Sequence, residues 1–285
     1  MILTPFDPWK SPMCVCPQKL SLNPYTGCPH GCLYCYASSY ISNFRECRPK
    51  QNLLKRLRTD ANKLHQGAII GMSNSSDPYP PMEKELNLTR DCLRILGTKK
   101  FRVQVVTKSD LVCRDIDLLV RMPSVVSITI TTLNERLATK LEPGAPDSSK
   151  RLKAIRKLSD HGIPVSVRVD PIIPGLNDKG MEDLIDAVLK AGAKHITSST
   201  YKARADNLRR MEYHFPKETE ALKEMLKRGD CLGGSLYLPK DVRTRLMQQV
   251  MNLVMAKGAT FSTCREGWPL ENHLSCDGSH LFGHS

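Results

Sequence analysis

The chain alternates between short apolar runs and segments in which apolar residues recur every three or four positions. Short runs rich in Val, Ile and Thr are typical of buried strands, and the longer spacing is typical of one helix face. The runs are 19–23, 68–72, 101–107, 125–131, 164–170 and 194–198. Helical spacing lies between them, for example at Leu53, Leu57, Ala61 and Leu64. This order predicts parallel βα units with right-handed crossovers.

Such units predict an α/β fold, a partial (β/α)6 TIM-type barrel over residues 17–200 that follows an N-terminal segment, 1–16. In such a barrel the residues after each strand converge on one face, where the chemistry lies. Polar segments stand at these six positions, namely TGCPHGCLYC, SNSSDPYPP, TKSD, TTLN, DPIIPG and SSTYK. We therefore expect the site at the carboxyl ends of the strands.

Beyond residue 201 the alternation stops. The segment 233–238 predicts a strand, and Pro239 begins a helix with Val242, Leu246, Val250 and Leu253 on one face. We interpret residues 201–285 as a C-terminal α/β extension that packs on the barrel.

The composition is that of an ordinary globular protein, with 40% hydrophobic and 25% charged residues. No apolar run approaches the roughly 18 residues of a membrane helix, and the N-terminus has no apolar signal core. We expect a cytoplasmic protein without a membrane partner. The formal net charge of +13 makes DNA or RNA the obvious partner class, with a merely solvated basic surface as the alternative.

Eleven cysteines are many for a cytoplasmic protein, and their odd number and uneven spread argue against a disulfide framework. Cys28, Cys32 and Cys35 have the spacing C-x₃-C-x₂-C, and neighbouring glycines allow a tight loop around one centre. Three close thiolates favour an iron–sulfur cluster with one iron that lacks a protein ligand. A zinc knuckle or unligated thiols are the alternatives.

The loop C-x₃-C-x-aromatic-C, with Tyr34 before the third cysteine, resembles the signature of the radical S-adenosylmethionine (SAM) superfamily. The resemblance implies a [4Fe–4S] cluster on Cys28, Cys32 and Cys35, and SAM that chelates the open iron. It also implies reductive cleavage of SAM to a 5′-deoxyadenosyl radical, which abstracts hydrogen from a substrate. An electron donor such as ferredoxin or flavodoxin is then expected.

The resemblance extends over about residues 17 to 200. The blocks SSDPYPPMEKELNLTR, VTKSDLVCRDIDLL, LEPGAPDSSKRL and VRVDPIIPGLND resemble the spore photoproduct lyase-like branch, whose members are often labelled DNA repair photolyases. No catalytic residue follows from these blocks, and the choice between lyase and transferase stays open.

The same resemblance implies SAM contacts, residue by residue. Lys108 would meet the SAM carboxylate and Tyr34 the adenine, while Thr129 matches a family serine that contacts SAM, with Thr131 nearby. Ser73, Asn74 and Ser76 would bind the amino group, with Asp77 as a second candidate. Glu142 and Arg151 would hold the ribose and methionyl end. For Asp77 and Glu142, capping of a helix or turn is the alternative.

In true spore photoproduct lyase a cysteine precedes the Thr-Asp or Ser-Asp pair and returns hydrogen to the product radical. Ser75 stands at that position here. A serine O–H bond is too strong for this role, so the resemblance does not predict thymine-dimer repair by the known route.

Two further groups lie outside these blocks. Cys14, Cys16, Cys264 and Cys276 match the ligand number of a second cluster or a zinc site, with unpaired thiols as the alternative. Basic residues gather at Arg45, Arg48, Lys50, Lys55, Arg56 and Arg58, and again at Lys202, Arg204, Arg209 and Arg210. The second group predicts phosphate contacts on the catalytic face, and solvated helix faces are the alternative.

The leading hypothesis is thus a radical SAM enzyme that modifies or repairs nucleic acid. A radical SAM enzyme for a peptide or small metabolite is the first alternative, and a non-catalytic metal-containing nucleic-acid-binding protein is the second.

Overall fold

The fold was described from a computed structural model, which describes residues 1–6, 13–72, 75–267 and 274–283. The strands are β1 (Thr4–Pro5), β2 (Leu20–Leu22), β3 (Tyr25–Thr26), β4 (Arg48–Pro49), β5 (Ile69–Met72), β6 (Arg102–Thr107), β7 (Ser124–Thr129), β8 (Val165–Ile172), β9 (His195–Thr200), β10 (Cys231–Leu232), β11 (Ser235–Leu236) and β12 (Thr260–Thr263). The helices are α1 (Leu53–Ala61), α2 (Glu83–Leu86), α3 (Leu88–Gly97), α4 (Ile116–Leu119), α5 (Glu135–Leu141), α6 (Ser148–Asp160), α7 (Met181–Lys190), α8 (Ala205–His214), α9 (Pro216–Leu226) and α10 (Lys240–Met255).

One eight-stranded sheet, in the order β1-β2-β5-β6-β7-β8-β9-β12, forms the centre of the molecule. β1 pairs antiparallel with β2, and every other neighbouring pair is parallel. The six predicted strands are β2 and β5 to β9, side by side in chain order. The prediction of a partial TIM-type barrel is confirmed.

The apolar pattern of the strands explains how the sheet is covered. Every residue of β7 is buried, as expected for a parallel strand with helices on one face and the barrel interior on the other. The outer helices bury one stripe each: α3 buries Cys92, Leu93 and Leu96, and α6 buries Ile155 and Leu158.

The C-terminal part differs from the prediction in one strand. Within the segment 233–238 only Ser235–Leu236 (β11) is a strand, and it pairs antiparallel with β10, which precedes the segment. α10 begins directly after Pro239, as the pattern indicates. β12 then pairs in parallel with β9, Thr260 opposite His195, so the main sheet continues past residue 200.

Residues 274–283 close the amino end of the barrel. The Thr197 hydroxyl donates to the Cys276 carbonyl at 3.0 Å, and Gln104 Nε2 donates to the Asp277 carbonyl at 2.5 Å. The Asp277 carboxylate forms a buried ion pair with Lys19, at the start of β2. The tail thus joins strands from both halves of the sheet. None of the helices in the described ranges combines the length and hydropathy of a membrane span.

Candidate active site

The cysteine loop lies at the carboxyl edge of the parallel sheet, after β3, which pairs with β4. Gly27 has φ +80°, and a Cβ on it would stand 2.5 Å from the Glu46 carbonyl oxygen. Only glycine allows this close approach. The Cys28 N–H donates to the Phe44 carbonyl at 2.7 Å, which fixes the entry to the loop.

The segment after α5 holds the loop from a second side. The Leu33 N–H donates to the Leu141 carbonyl, and the Gly144 N–H donates to the His30 carbonyl, both at 2.8 Å. A Cβ on Gly144 would lie 2.4 Å from the Pro29 carbonyl oxygen, so the two backbones touch. The loop therefore has little room to shift against the barrel.

Helix α8 holds the loop from a third side. Arg210 Nε donates to the Leu33 carbonyl at 3.1 Å, and its Nη2 donates to the Cys35 carbonyl at 2.7 Å. Asn207 Nδ2 donates to the Tyr34 carbonyl at 3.0 Å. The prediction of Arg210 as a phosphate contact is therefore wrong, because backbone carbonyls of the cysteine loop occupy its guanidinium.

The thiols of Cys28, Cys32 and Cys35 are free of disulfides. Burial raises the pKa of the Cys28 thiol to about 12, and burial likewise raises the pKa of Cys32 and Cys35, against the opposing charge of Lys108. Thiolates in this loop therefore require positive charge beside them.

No three Cys, His, Asp or Glu side chains of the described residues stand at the mutual distances of ligands to one metal ion. In a cubane each cysteine binds a different iron, so the sulfurs stand further apart than the ligands of a single ion. An anchored loop with three free, half-buried thiols and a nearby ammonium fits a [4Fe–4S] cluster.

Glu142 is the hub of a buried polar network next to the loop. Its Oε2 lies 2.6 Å from Arg151 Nη1, and its Oε1 accepts hydrogen bonds from Thr131 Oγ1, at 3.2 Å, and from the Tyr34 hydroxyl. Burial alone would raise the pKa of Glu142, but Arg151 and Lys108 outweigh it and hold the pKa below its usual value. The carboxylate is therefore ionised and orients its donors.

Lys108 completes this network from the end of β6. Its Nζ lies 4.0 Å from Glu142 Oε1 and 5.6 Å from the centre of the Tyr34 ring. Burial lowers the pKa of Lys108, but the Cys32 thiol in its thiolate form and the Glu142 carboxylate reverse this effect and raise it. A charged ammonium thus stands beside the cysteine loop, where a carboxylate group can pair with it.

Asp77 and Ser76 are engaged with the protein itself. Asp77 Oδ1 accepts from the Thr107 hydroxyl at 2.6 Å, and Oδ2 accepts from the Lys108 N–H at 2.8 Å. The Ser76 hydroxyl donates to the Tyr25 carbonyl at 2.8 Å. These contacts match the turn-capping alternative for Asp77, since they tie the loop after β5 to the end of β6.

Of the other predicted SAM contacts, Ser73 and Asn74 lie outside the described residues. Thr129 is buried at the end of β7, and its carbonyl accepts from Arg151 Nη1 at 3.0 Å. The structure thus brings together Tyr34, Lys108, Thr131, Glu142 and Arg151, and joins Thr129 to them through the backbone.

A second buried polar cluster lies at the ends of β8, β9 and β12, and sequence reasoning missed it. Asp170 pairs with Arg168 at 2.5 Å, and Lys202 pairs with Glu266 at 2.9 Å. Because Glu266 and the Thr200 carbonyl occupy the Lys202 ammonium, its predicted role as a phosphate contact is wrong. No signal in the sequence points to Glu266, because the pair spans 64 residues.

The four outlying cysteines lie in two places. Cys16 Sγ stands 3.3 Å from Cys276 Sγ, and Cys14 contacts Cys16 through its side chain. Cys264, at the end of β12, lies beside the Arg168 guanidinium. A second metal on all four stays a prediction.

Some of the remaining basic residues are exposed to solvent, and others donate hydrogen bonds to backbone carbonyls. Arg45, Lys55, Arg56, Arg58 and Arg209 are exposed, and Lys50 is half-buried. Arg48 donates to the carbonyls of Asn43 and Glu46, and Arg204 donates to the Gly233 carbonyl at 2.6 Å. These two arginines brace turns.

Among solved structures, this fold is similar to a spore photoproduct lyase variant with bound AdoMet and dinucleoside spore photoproduct. The TM-score is 0.66 at 19% identity, and the match covers 89% of this chain and 79% of that one. At this identity the likeness concerns the fold alone.

Two curated relatives are similar in sequence. The uncharacterized protein MJ0683 of Methanocaldococcus jannaschii is 35% identical over 181 residues, which are 61% of this chain and 66% of that protein. The Radical SAM Nalpha-GlyT isomerase of Pseudomonas phage M6 is 24% identical over 260 residues, which are 87% of this chain and 54% of that protein. This chain therefore spans about half to two thirds of these relatives' lengths.

The family model of the radical SAM superfamily matches residues 22–188. That range is more than half of the chain, and it holds the cysteine loop, Lys108 and the Glu142–Arg151 pair. Enzymes of this superfamily use a [4Fe–4S] cluster and SAM, and the loop and the network fit both. The chain belongs to the radical SAM superfamily.

Proposed function

We propose that this radical SAM enzyme acts on nucleic acid, as a modification or repair enzyme, and that a donor such as ferredoxin or flavodoxin supplies its electron. The observation that carries the proposal is a solved structure similar over 89% of this chain, which holds AdoMet together with a dinucleoside. The net charge of +13 supports the same substrate class, because a basic surface attracts phosphates.

The proposed roles of the network follow from its charges. Cys28, Cys32 and Cys35 would hold the cluster, which together with SAM supplies one-electron, hydrogen-abstracting chemistry. Lys108 would pair with the SAM carboxylate, because its ammonium is charged and lies 5.6 Å from the centre of the Tyr34 ring, beside the cysteine loop. The buried Glu142 would fix the directions of its donors and so shape the pocket for SAM.

Arg151 and Thr131 bond to Glu142 itself, so they would act on SAM mainly by holding that carboxylate in place. Tyr34 would lie against the adenine, and Thr129 would line the same pocket. Asp77 and Ser76, whose polar atoms have protein partners, would set the loop after β5, where Ser73 and Asn74 would meet the SAM amino group.

Ser75 limits which reaction can be proposed for this enzyme. Its N–H lies 3.3 Å from Asn23 Oδ1, and its hydroxyl stands in place of the thiol used by true spore photoproduct lyase. We therefore do not extend the proposal to thymine-dimer repair by that route.

The test is anaerobic reconstitution with iron and sulfide, followed by measurement of SAM cleavage with dithionite. Single-stranded DNA, duplex DNA, RNA and a mixed peptide pool serve as candidate substrates. We expect nucleic acid to accelerate SAM cleavage and to bind with an affinity that falls as salt rises.

The Cys35→Ala variant is the control for the cluster and should lose both bound iron and SAM cleavage. Cleavage stimulated by the peptide pool and not by nucleic acid would contradict the proposed substrate. If a variant that lacks every one of the three loop cysteines still retained iron and cleaved SAM, the proposed cluster site would be contradicted.

A further inference from the structure

Among the described residues, one arginine of the polar cluster at the ends of β8, β9 and β12 forms no ion pair, although the charge of Asp170 attracts it at longer range. In that cluster Arg168 pairs with Asp170, and Lys202 pairs with Glu266. Arg243 pairs with Asp230 at 3.0 Å and also lies 3.5 Å from Glu266. Within the part of the chain that the structure describes, Arg265 alone of these cations has neither an ion pair nor a hydrogen bond.

Arg265 is nevertheless 91% buried, since only 9% of its surface is exposed. The guanidinium contacts an aromatic face, since its central carbon lies 4.8 Å from the centre of the Tyr36 ring. A ring face attracts a cation but satisfies none of the five N–H donors of the guanidinium. None of the Arg265 nitrogens is among the fully buried, unpartnered side-chain atoms of the described residues, so the donors still reach solvent and an anion from solution can pair with them.

The backbone at Arg265 is also unusual. Its φ is +55°, in the left-handed region, where non-glycine residues are uncommon. The other described non-glycine residues in this region are three asparagines and Lys100, and none of them is buried. Since glycine would adopt this conformation at lower cost, the strain indicates that the arginine side chain is needed there.

The position of Arg265 connects it with the cofactor site. Tyr36, on which the guanidinium lies, directly follows the cluster ligand Cys35. Lys108 and Glu142 belong to the ends of β6 and α5, whereas Arg265 follows β12, further along the sheet order. A group bound by Arg265 would thus lie at the same mouth as SAM, against the opposite part of the barrel wall.

We propose that Arg265 binds a phosphate of the nucleic-acid substrate and holds it at the barrel mouth beside Tyr36. The proposal rests on the proposed function, because it takes the substrate to be nucleic acid. An arginine can meet two phosphate oxygens with parallel N–H donors, so the contact fixes the orientation of the strand as well as its position.

The test compares Arg265→Gln with a surface control. The probe is a fluorescent single-stranded DNA of mixed sequence, titrated anaerobically against the reconstituted enzyme with SAM at several salt concentrations. We expect Arg265→Gln to weaken binding about tenfold to a hundredfold, with a salt slope lower by about 0.7, the loss of one phosphate contact. Arg265→Lys, which keeps the charge, should restore part of the affinity.

The control is Arg121→Gln, which removes an exposed charge near the amino end of β7, away from the mouth. Its affinity and salt slope should stay close to those of the wild type. Equal behaviour of Arg265→Gln and Arg121→Gln would overturn the proposal, because a merely structural stacking role on Tyr36 predicts no change in salt slope.

Two further measurements keep the proposal testable. A thymidine dinucleotide with its phosphate should compete with the labelled probe on wild-type enzyme better than its neutral methylphosphonate, and equal competition would overturn the phosphate contact even if Arg265→Gln does not fold. Inorganic phosphate should raise the melting temperature of the wild type more than that of Arg265→Lys. If that shift appears while no nucleic acid binds, the anion site stands and the proposed function fails.

Discussion

At the scale of single residues, the network around Glu142 was predictable and the cluster around Arg265 was not. The family resemblance selected Tyr34, Lys108, Glu142 and Arg151, and the fold brings all four together. Arg265 is distinguished only by its φ, its burial and its lack of a carboxylate partner. A sequence shows none of these three properties, because each depends on which distant segments pack around the residue.

Lys108→Ala should weaken SAM binding while leaving the cluster in place. The side chain offers a charged hydrogen bond, worth about 1.5–3 kcal/mol, so the dissociation constant should rise roughly tenfold to a hundredfold. Equilibrium binding of SAM to the reconstituted enzyme measures the effect, and iron content reports on the cluster. Lys153→Ala, on the exposed face of α6, is the matched control. An unchanged SAM affinity would assign Lys108 a structural role.

At the scale of elements, α8 anchors the cysteine loop, although its sequence does not indicate this role. Its basic residues suggested a surface for phosphates, yet Arg210 turns inward and donates to carbonyls 175 and 177 residues earlier in the chain. Helical periodicity shows which face of α8 is polar. It does not show that this face meets the cysteine loop, since tertiary packing decides that contact.

Arg210→Gln should therefore reduce cluster retention. The variant loses charged hydrogen bonds worth about 1.5–3 kcal/mol each, so iron release to a chelator should be at least about tenfold faster. Arg209→Gln, one position away on the exposed face, is the matched control and should release iron at the wild-type rate. Equal rates for the two variants would show that α8 does not stabilise the loop.

The strand pair β9–β12 predicts a pH effect through His195. Burial, with a smaller contribution from His280, lowers the pKa of His195 to about 3, against the opposing charge of Asp277. In the unfolded chain its pKa is about 6.5, so between these values the unfolded state binds the extra proton. This contribution to stability is complete above pH 6.5 and is lost as the pH falls towards 3.

Denaturant unfolding at pH 7.5 and 5.5 measures this effect. The free energy of unfolding of the wild type should fall by about 1 kcal/mol more than that of His195→Gln over this interval. Carboxylates that titrate at lower pH change the free energy of unfolding equally in both proteins, so their effect cancels in the comparison. The same pH dependence in both would show that His195 is not the titrating group.

At the scale of the whole molecule, the alternation of apolar runs predicted the order and the parallel pairing of six strands. It did not predict β12, whose sequence TFST contains one apolar residue in four. It also did not predict that residues 274–283 close the amino end of the barrel. Both are held by pairing with strands far away in the chain, for which a short polar segment gives no local signal.

The buried Lys19–Asp277 pair makes that closure testable. Asp277→Asn should destabilise the protein by about 3–5 kcal/mol, because it leaves Lys19 buried and unpaired. Lys19→Met combined with Asp277→Leu should recover most of this loss, since an apolar pair leaves no charge unsatisfied. Unfolding free energies of the wild type, Lys19→Met, Asp277→Leu and the double variant form the cycle. Strictly additive single effects would mean that the tail does not close the barrel through this pair.

The three-sided anchoring of the cysteine loop has a consequence for biosynthesis. The loop leaves the ribosome before its anchors, since Leu141, Gly144, Asn207 and Arg210 follow it by more than a hundred residues. Until then no folded segment packs against the three thiols, and they are exposed to oxidation and to binding of other metal ions. Delivery of iron and sulfide is therefore best timed after α8 has been translated, and slow translation between the loop and α8 would lower the yield of intact enzyme in air.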